Sequence, residues 1–590
     1  METKAWRSSP FPFKRGVFQG DPISPIIFLM VFNPIIQSLQ NQSEKFGYKL
    51  GDLSYITLPY ADDFCLITTN KRSHQNLINQ IQSQVSSLGM KLKPSKCTSF
   101  SLSGRKPSDI PFYIGDNRIS SIKDQEQKFL GKLLFFSGKP EETFQMFKNV
   151  INEGIENIDK ALVRNEYKLW IYSQYFLPSK RFLLTVHTLT QTHLKLLDTL
   201  TDKAIKRWSG IPRSATNVII HLEEGMNISS ISKLYMETHT VSHIRRRIQG
   251  DSAVNNAVDC TLTREGSWTK KKSTAVECEA IYSEAMLVNC VTGEAPNFIG
   301  DQTTHLQRKL CRNVTSTAQK HMDKEHKQQH QEKLKSLVVQ GKNLELASAE
   351  STDYLWKSFL YNMRSGTMKF LLNAAIDTLP TAANLQRWKK SPSDKCKLCQ
   401  GRQTTDHCLN ICKVGLETGR WTWRHNNILN FILQWLDTSK YSVFSDLPGH
   451  EAAGGGTIPP EVCVTNLKPD IVIIDKVKKE LHIFELTCPL ETNIEKRHLD
   501  KQNKYAHFVK DITTFTTTIT AFEVSSRGFI NKRNHQHLQA LHRMCKAGIK
   551  LNTFKKNISS LSIYSSYHIW LCRSDPLFTV PPYLEATFHD

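Results

Sequence analysis

The chain has 590 residues, of which 39% are apolar, so it can bury real hydrophobic cores and is not a wholly disordered protein. A chain of this length should fold into roughly three or four domains. Its formal charge is +22 with a pI near 9.3, and a basic excess of this size favours a polyanionic partner such as nucleic acid. Its 14 cysteines are irregularly spaced, which argues against a disulfide framework and for a reducing compartment.

The beginning of the chain, METKAWRSSPFPFKRG, is polar and basic, so we expect no secretory signal peptide. The most apolar stretch, Pro25 to Ile36, contains Asn33-Pro34 and is too short to span a bilayer. We interpret it as a buried helix and expect no membrane partner.

Two adjacent aspartates, Asp62 and Asp63, lie between the apolar segments Leu58-Pro59 and Phe64–Ile67. This pattern predicts a tight turn between two strands. Neighbouring side chains on a regular strand point to opposite faces, but at a turn both carboxylates can converge. Close carboxylates repel each other unless a divalent cation neutralises them, and such a pair serves two-metal phosphoryl transfer. A solvated Asp-Asp turn is the alternative.

Three other segments accompany this turn in a fixed order. The segment GVFQGDPISPIIF precedes it, and LGMKLKPSK (Leu88 to Lys96) and Phe129-Leu130-Gly131 follow it. Together with LPYADDFCLIT, these segments resemble the reverse transcriptases of non-LTR retrotransposons. In that resemblance Phe129-Leu130-Gly131 corresponds to the primer-grip hairpin.

The resemblance implies roles for individual residues. Asp62 would be a Mg²⁺ ligand with Asp63 beside it at the polymerase site. Gln19 and Gly20 would shape the pocket for the incoming dNTP, and Lys96 would lie near its triphosphate.

A two-metal site also needs a carboxylate from a separate element. In the family that this chain resembles, that aspartate comes from a strand well before the Gln-Gly-Asp-Pro segment. Only 18 residues precede Gln19, and no acidic residue lies between Glu2 and Asp21. We therefore expect the fingers and the first palm strand to be missing and the polymerase to be inactive on its own.

The next region is expected to be helical. Lys203 to Arg213 (KAIKRWSGIPR) is both basic and aromatic, which suits a thumb helix that grips a nucleic-acid backbone while Trp208 packs or stacks. An amphipathic core helix with solvated lysines is the alternative. The stretch KRWSGIPRSATNVIIHL also resembles the thumb of the same elements. Gln319 to Lys335 is strongly polar, and we interpret it as a solvated helix or a linker.

Cys396, Cys399, His407 and Cys412 have the spacing C-x2-C-x7-H-x4-C. Cys-x2-Cys places two thiolates on one tight turn, and a later His and Cys can complete a tetrahedron around Zn²⁺. Four protein ligands leave no open position for water, so we predict a structural zinc. Cys408 is an alternative fourth ligand, but it is adjacent to His407 and closure there would be strained. Non-LTR elements that carry a restriction-like endonuclease have a similar motif between polymerase and nuclease.

The segment RWTWRHN (Arg420 to Asn426) follows this motif. Trp421, Trp423, Arg424 and His425 could contact nucleic acid. A helix with buried tryptophans explains the same pattern equally well.

Two strand-like segments, Lys468 to Asp475 and Leu481 to Pro489, lie close together in the chain. A four-residue hairpin loop, Lys476 to Lys479, would pair Asp475 with Glu480 and would place Asp470 opposite Glu485. Opposed residues in such a ladder have Cβ atoms ~5 Å apart. Two carboxylates at that distance can share one divalent ion, for which we expect Mg²⁺.

Glu495 to Val509 is expected to form a helix that carries Lys501 and Lys504 on one face. Either lysine could orient water and offset charge on a phosphate. This is the logic of Pro-Asp…(Asp/Glu)-x-Lys nucleases, except that position 487 is Thr. The departure resembles the retrotransposon endonucleases, whose Glu and Cys-Pro segment precedes a helix ending in Lys-Tyr, here Lys504-Tyr505. An ordinary β-hairpin covered by a helix is the alternative.

The resemblance implies an α/β multidomain protein with a partial reverse-transcriptase palm, a helical thumb, a small zinc knuckle and a PD-(D/E)xK-type α/β nuclease domain. The expected boundaries are palm 1–138, thumb 139–250, polar and helical linker 251–385, CCHC zinc knuckle region 386–436, restriction-like endonuclease 440–530 and C-terminal extension 531–590.

It further implies target-primed reverse transcription in the nucleus, reached through the cytoplasm, with element RNA, chromosomal DNA and dNTPs as partners. A catalytically dead nucleic-acid-binding remnant is the main alternative. A group II intron maturase is disfavoured by the zinc and nuclease segments.

Overall fold

The computed structural model describes the strands Glu2–Thr3 and Trp6–Arg7, residue 512, and residues 16–18, 20–104, 106–123, 127–268, 273–291, 303–342, 360–506 and 514–580. The chain forms two compact units. The first comprises Met1–Lys148, Arg181–Thr190 and Leu234–His321, and the second comprises Asn149–Lys180, Gln191–Lys233 and Met322–Asp590. Helices Pro140–Lys160, Ile231–Gln249 and Thr303–Lys335 have residues in both.

The first unit combines helices with short paired strands. Its helices are Ser24–Gln40, Ser43–Phe46, Lys71–Ser87, Arg181–Val186, Ser252–Trp268 and Thr274–Val291, with a 3-10 turn at Pro94–Lys96. Its antiparallel pairs are Glu2–Thr3 with Trp6–Arg7, Tyr48–Leu50 with Leu53–Tyr55, Thr57–Tyr60 with Asp63–Leu66, Ser101–Ser103 with Lys106–Ser108, Tyr113–Ile114 with Asn117–Arg118, and Gln127–Phe129 with Lys132–Leu134. Thr98–Ser99 and Ser120–Ser121 pair in parallel.

A small core joins the helices Ser24–Gln40 and Lys71–Ser87 to the hairpin Thr57–Leu66. Phe32, Ile36, Leu77 and Ile81 are buried in it. Helix Lys71–Ser87 begins at a side-chain cap, because Asn70 accepts a hydrogen bond from the Ser73 amide at 2.8 Å. The core therefore supports the base of the hairpin that carries the two aspartates.

The apolar stretch Pro25 to Ile36 is helical, as predicted, but the expectation that it is buried is wrong for one face. Ile26, Leu29 and Met30 are 57%, 49% and 71% exposed. The sequence pattern could not reveal this, since the stretch is apolar on all sides and carries no polar stripe that would mark the solvent face.

A four-stranded sheet organises the second unit. Its strands, in spatial order, are Ser442–Ser445, Ile471–Asp475, Glu480–Thr487 and Thr516–Glu523. The first three pair in antiparallel fashion, and the fourth is parallel to the third. A parallel neighbour requires a crossover connection, and helix Ile494–Ala506 lies within it.

Both faces of this sheet are covered, which explains why its strands are nearly continuous apolar runs. Ile471, Ile473 and Phe484 pack on one face against helices Arg420–Trp435, Lys532–His542 and Leu551–Leu571. Val472, Ile474 and Ile483 pack on the other face with Tyr505. Since the alternation has period two, Asp470 and Glu485 project from the second face.

The remaining elements of the second unit are mainly helical. Its other helices are Asn165–Ile171, Leu177–Ser179, Gln191–Ser209, Val218–His221, Ser365–Ala375, Ala382–Arg387 and Lys413–Glu417, with π-helices Tyr172–Phe176 and His407–Ile411 and a 3-10 turn Glu491–Asn493. The polar segment 319–335 is part of helix Thr303–Lys335, so the helical alternative was the correct one.

The interpretation of Lys203 to Arg213 as a helix that grips nucleic acid stays a prediction, but Trp208 and Lys206 have partners within the fold. The helix ends at Ser209, and its Trp208 is buried and donates to Asp159 at 2.6 Å. Lys206 is also buried, and its Nζ donates to the carbonyls of Ala215 at 2.6 Å and Arg213 at 3.1 Å. Lys206 therefore closes the loop that follows the helix, because a buried ammonium must satisfy its donors, and Trp208 joins this helix to helix Pro140–Lys160.

None of the helices among the described residues is long and apolar enough to cross a membrane.

Candidate active site and metal centre

Asp62 and Asp63 lie at the tip of a hairpin, as the sequence predicted. Tyr60 pairs with Asp63, and Ala61 adopts a left-handed backbone with φ 53°. Both aspartates are exposed. The turn is therefore confirmed, while the role of the two carboxylates in holding a metal stays a prediction.

The structure gives the positions of most of the other residues predicted for a polymerase site, and their roles stay predictions. Gly20 is exposed with φ +97°, a conformation that favours glycine. Lys96 is exposed at the end of its 3-10 turn. Gln19 lies outside the described residues. Leu130 and Gly131 form the predicted hairpin turn, with φ 46° and 84°.

The four residues predicted to bind zinc come together. The ligand atoms of Cys396, Cys399, His407 and Cys412 all lie within 4.8 Å of one another. Three sulfurs and one imidazole nitrogen at this separation match the donor set and size of a tetrahedral zinc site. The donor set fits the ion, and its identity as zinc remains a proposal.

Local structure explains this convergence. The Cys396 amide donates to the Gly401 carbonyl at 2.7 Å, which closes the turn that presents Cys399. The His407 amide donates to Thr404 Oγ1 at 3.1 Å, so His407 begins its π-helix in a capped position. The Cys412 amide donates to the His407 carbonyl at 3.0 Å and brings the fourth ligand back to the cluster.

Cys408 is not part of the cluster. It packs in a core with Phe370, Leu409 and Trp570, and burial raises the pKa of its thiol to about 12. The preference for Cys412 over Cys408 agrees with this geometry.

The hairpin register predicted for the second pair of carboxylates is confirmed. Asp475 pairs with Glu480 and Ile471 pairs with Phe484. The same register, extended by one residue, places Asp470 opposite Glu485. The Asp470 amide lies 3.3 Å from Glu485 Oε1. The two carboxylates therefore meet at one end of the hairpin.

Asp470 is held ionised by its surroundings. Its side chain is 13% exposed, and its Oδ2 accepts from the Leu486 amide at 2.7 Å and from His425 Nε2 at 3.2 Å. Burial opposes ionisation, but His425, the charge of Lys501 and the Leu486 amide outweigh it and hold the pKa of Asp470 below its ordinary value.

The pKa of Glu485 is shifted in the opposite direction. Its side chain is only 1% exposed, and burial together with the charge of Asp470 raises its pKa, against the opposing effect of Lys501. The Lys501 ammonium donates to Glu485 Oε2, and the Tyr505 hydroxyl also bonds to this carboxylate. Two close carboxylates with pKa values pushed apart are typical of functional sites.

Lys501, and not Lys504, touches the carboxylate pair. Lys504 is exposed, and its Nζ donates to the Tyr505 hydroxyl at 3.0 Å. Both lysines belong to helix Ile494–Ala506, so the predicted helix is present as far as it is described.

Asp470, Lys501 and Lys504 line an open cleft of about 660 Å³, and the buried Glu485 contacts two of these lining residues, Asp470 and Lys501. Asp470, Lys501, Lys504 and Arg497 contribute charged walls, and Trp421 and His425 contribute aromatic ones. An acidic floor with basic and aromatic walls can hold a cation and a phosphate backbone together.

Two alternatives were proposed for the segment RWTWRHN, a nucleic-acid contact and a helix with buried side chains, and each describes some of its residues. Trp421 and His425 line the cleft, but Trp423 packs against His568 and Phe578. Arg424 is 1% exposed, so the suggestion that it contacts nucleic acid directly is wrong. It donates to the carbonyls of Leu409 and Cys488 instead.

The contact between His425 and Asp470 was not foreseen. These residues are 45 positions apart, and no local spacing links them. A weak signal was the presence of Arg420 and Arg424 on the buried stripe of the helix, with His425 directly beside it.

Residues 2–134 match the family model described as reverse transcriptase (RNA-dependent DNA polymerase). The chain is also similar to the Pol polyprotein of type-2 retrotransposable element R2DM from Drosophila melanogaster, with 21% identity over 523 residues, or 85% of this chain and 43% of that protein. The R2 Pol polyprotein of Nasonia vitripennis is 22% identical over 278 residues, 45% of this chain and 26% of its own length. An R2 Pol polyprotein of Popillia japonica is 26% identical over 200 residues, 33% of this chain and 27% of its own length. The chain thus spans less than half the length of these relatives.

Proposed function

We propose, from the premise that this chain is related to the non-LTR retrotransposon reverse transcriptases, that its second unit is a metal-dependent DNA-nicking enzyme that serves target-primed reverse transcription. A nick would expose a 3′-hydroxyl on chromosomal DNA, and that hydroxyl would prime DNA synthesis on element RNA. The observation that carries the proposal is the cluster of Asp470, Glu485 and Lys501, in which Asp470 and Lys501 line the cleft and Glu485 contacts both.

In this proposal the polymerase site is the hairpin turn of the first unit. Asp62 and Asp63 would bind Mg²⁺, Gln19 and Gly20 would receive the dNTP, and Lys96 would contact its triphosphate. The exposure of both aspartates supports access for these ligands. The protein would act in the nucleus, where its DNA target lies.

In the nuclease cleft, Asp470 and Glu485 would hold Mg²⁺, since hard oxygen ligands suit that ion. When bound, the ion would supply a polarised water and neutralise charge on the scissile phosphate. Lys501 donates to Glu485 Oε2 and lines the cleft, so it would offset negative charge on the phosphate. Lys504, at the cleft wall, would bind the DNA backbone. Thr487 has the place of the lysine in the Asp/Glu-x-Lys pattern, and helix Ile494–Ala506 supplies the charge instead.

The proposed structural zinc would be held by Cys396, Cys399, His407 and Cys412, and it would stabilise a segment that has little core of its own. This segment is hydrogen-bonded to a residue that lines the cleft. The side-chain Nδ2 of Asn410, in the π-helix that begins at His407, donates to the Cys488 carbonyl at 2.7 Å, three residues beyond Glu485.

The test is nicking of supercoiled DNA by the whole chain with Mg²⁺. Asp470→Ala and Glu485→Ala should each abolish nicking, while salt-sensitive DNA binding persists because the +22 charge is dispersed. Glu480→Gln is the matched control, since Glu480 lies at the far end of the same hairpin. This variant should nick DNA like the parent.

If both alanine variants nick like the parent, the nuclease proposal fails. If the parent binds DNA and never nicks it, the binding-only remnant becomes the better description. Thermal unfolding of each variant would show that a loss of nicking is not a loss of fold.

A further inference from the structure

His425 contacts a predicted metal ligand from outside the hairpin. It lies in helix Arg420–Trp435, and its Nε2 is 3.2 Å from Asp470 Oδ2 and 3.2 Å from the Leu486 carbonyl. Its side chain is 23% exposed and lines the cleft. No pattern in the sequence assigned a role to this residue in catalysis.

The two partners of Nε2 determine where its hydrogen lies. A backbone carbonyl can only accept, and an ionised carboxylate can only accept. Nε2 therefore carries the hydrogen and donates, whatever the state of the other ring nitrogen. One donor thus bridges the end of strand Glu480–Thr487 and the carboxylate that precedes strand Ile471–Asp475.

Both hydrogen bonds received by the Asp470 side chain from described residues fall on Oδ2. The Leu486 amide donates to it at 2.7 Å and His425 donates at 3.2 Å. With Oδ2 engaged twice, rotation about the carboxylate is restricted, and Oδ1 is the oxygen that is available to a cation.

The neighbouring arginine fixes the position of His425. Arg424 is buried, and its guanidinium donates to the Leu409 carbonyl at 3.2 Å, to Ser566 Oγ at 3.0 Å and to the Cys488 carbonyl at 3.1 Å. These bonds join helix Arg420–Trp435 to three other segments. A group that orients a ligand is effective only if it is itself held, and His425 meets that condition.

We propose that His425 is a positioning residue of the nuclease: its Nε2–H holds Asp470 in the orientation that binds the metal ion. The inference rests on the proposed nuclease function and adds a residue from a helix outside the hairpin to that site. A hydrogen bond, and not a charge, is the property required.

The experiment compares three variants of the full chain. His425→Leu removes the donor. His425→Gln keeps it, because the amide nitrogen of glutamine can reach the position of Nε2 but cannot become charged. His482→Leu is the matched control, since that histidine bonds to Thr518 Oγ1 at 2.7 Å and does not line the cleft.

Two quantities are measured for each variant: the Mg²⁺ concentration that gives half-maximal nicking, and the affinity for Mg²⁺ by titration calorimetry without DNA. Loss of an outer hydrogen-bond partner of a metal ligand weakens metal binding about 10–100-fold. We expect His425→Leu to show that shift in both measurements and to regain most of the parent rate at saturating Mg²⁺. His425→Gln and His482→Leu should stay within a few-fold of the parent.

Other results overturn the inference. If His425→Leu has the parent's Mg²⁺ dependence while Asp470→Ala is inactive, the nuclease stands and His425 has no positioning role. If His425→Gln is as impaired as His425→Leu, the hydrogen bond is not the cause. If His425→Leu melts at a lower temperature and saturating Mg²⁺ restores nothing, its role is structural only. If Asp470→Ala nicks like the parent, the proposed function itself fails.

Discussion

The two carboxylate pairs of this protein are built in opposite ways. Asp62 and Asp63 are consecutive residues at an exposed turn. Asp470 and Glu485 are 15 residues apart, with side chains 13% and 1% exposed, and they are surrounded by Lys501, His425 and Tyr505. A single hairpin is enough to position the first pair. The second pair is positioned by the four-stranded sheet together with helices Arg420–Trp435 and Ile494–Ala506.

The difference follows from solvation. An exposed carboxylate keeps its water, so a local turn can present it without further support. A buried carboxylate loses that water at a cost of several kcal/mol unless cations and donors replace it. The cleft should therefore respond to distant changes that leave the hairpin turn untouched.

Loss of the metal ion proposed for the Cys/His cluster should have the largest effect. Structural zinc contributes on the order of 10 kcal/mol to the folding of such segments, and Asn410 and Arg424 connect this segment to the Cys488 carbonyl. Cys399→Ser should lose bound zinc, as measured by elemental analysis, and should lose nicking. Hydrogen exchange should accelerate in peptides that contain Leu486 and remain unchanged in peptides from 57–66.

Cys463→Ser is the control for that experiment, since Cys463 is half-buried and outside the cluster. It should keep its zinc and its exchange pattern. A zinc-free Cys399→Ser protein with unchanged exchange around Leu486 would contradict the proposed connection.

A buried ion pair near the cleft should give the next largest effect. Arg527 and Glu491 are both buried and form a hydrogen-bonded ion pair. Arg527→Met should lower the free energy of unfolding by about 3–5 kcal/mol, because it leaves an unpaired buried charge. Urea denaturation followed by fluorescence would measure the loss. The double variant Arg527→Met, Glu491→Leu should recover much of it, since no charge then remains.

The pH dependence of this pair has a definite sign. Burial opposes ionisation of Glu491, but Arg527 outweighs it and holds the pKa of Glu491 below its ordinary value of 4.5. The stabilisation is therefore complete above the unfolded-state pKa and is lost as the pH falls through the folded-state pKa. As the pH falls below 4.5 and through the lower folded-state pKa, the difference in stability between the parent and Arg527→Met should shrink. Equal differences at pH 7 and at pH 3 would contradict this explanation.

The smallest effect is expected next to the exposed hairpin. Asn70 caps helix Lys71–Ser87 by accepting from the Ser73 amide. Asn70→Ala should cost about 1 kcal/mol, measured as a shift in the urea midpoint of the same transition. Ser83→Ala, at an exposed position within the helix, should be neutral or slightly stabilising. A larger loss from Asn70→Ala than from Arg527→Met would reverse the comparison between the two sites.

Local chemistry was sufficient to predict both hairpins. Asp62 and Asp63 are bounded by apolar strands, and the four-residue loop before Glu480 determines the register that brings Asp470 to Glu485. The Cys/His cluster was equally predictable, since ligand spacing is itself a local property.

Contacts made across the fold were not predictable. His425 reaches Asp470 over 45 residues, and Trp208 and Lys206 looked like a nucleic-acid contact although their partners are Asp159 and a pair of carbonyls. A single sequence shows which side chains are polar, but their partners depend on how distant elements pack.

The ion pair between Lys501 and Glu485 has a consequence for how the cleft can be handled in the laboratory. The chain supplies its own counter-ion to the more buried carboxylate of the pair Asp470 and Glu485, so a divalent ion would enter by exchange with an ammonium group and would not fill a site of unbalanced negative charge. The sheet around it should consequently tolerate chelators, and one preparation of folded protein should accept Mg²⁺, Mn²⁺ or Ca²⁺ in turn. The Cys/His cluster should respond to chelators in the opposite way. It groups three cysteines and one histidine and includes no lysine or arginine that could take the place of a metal ion.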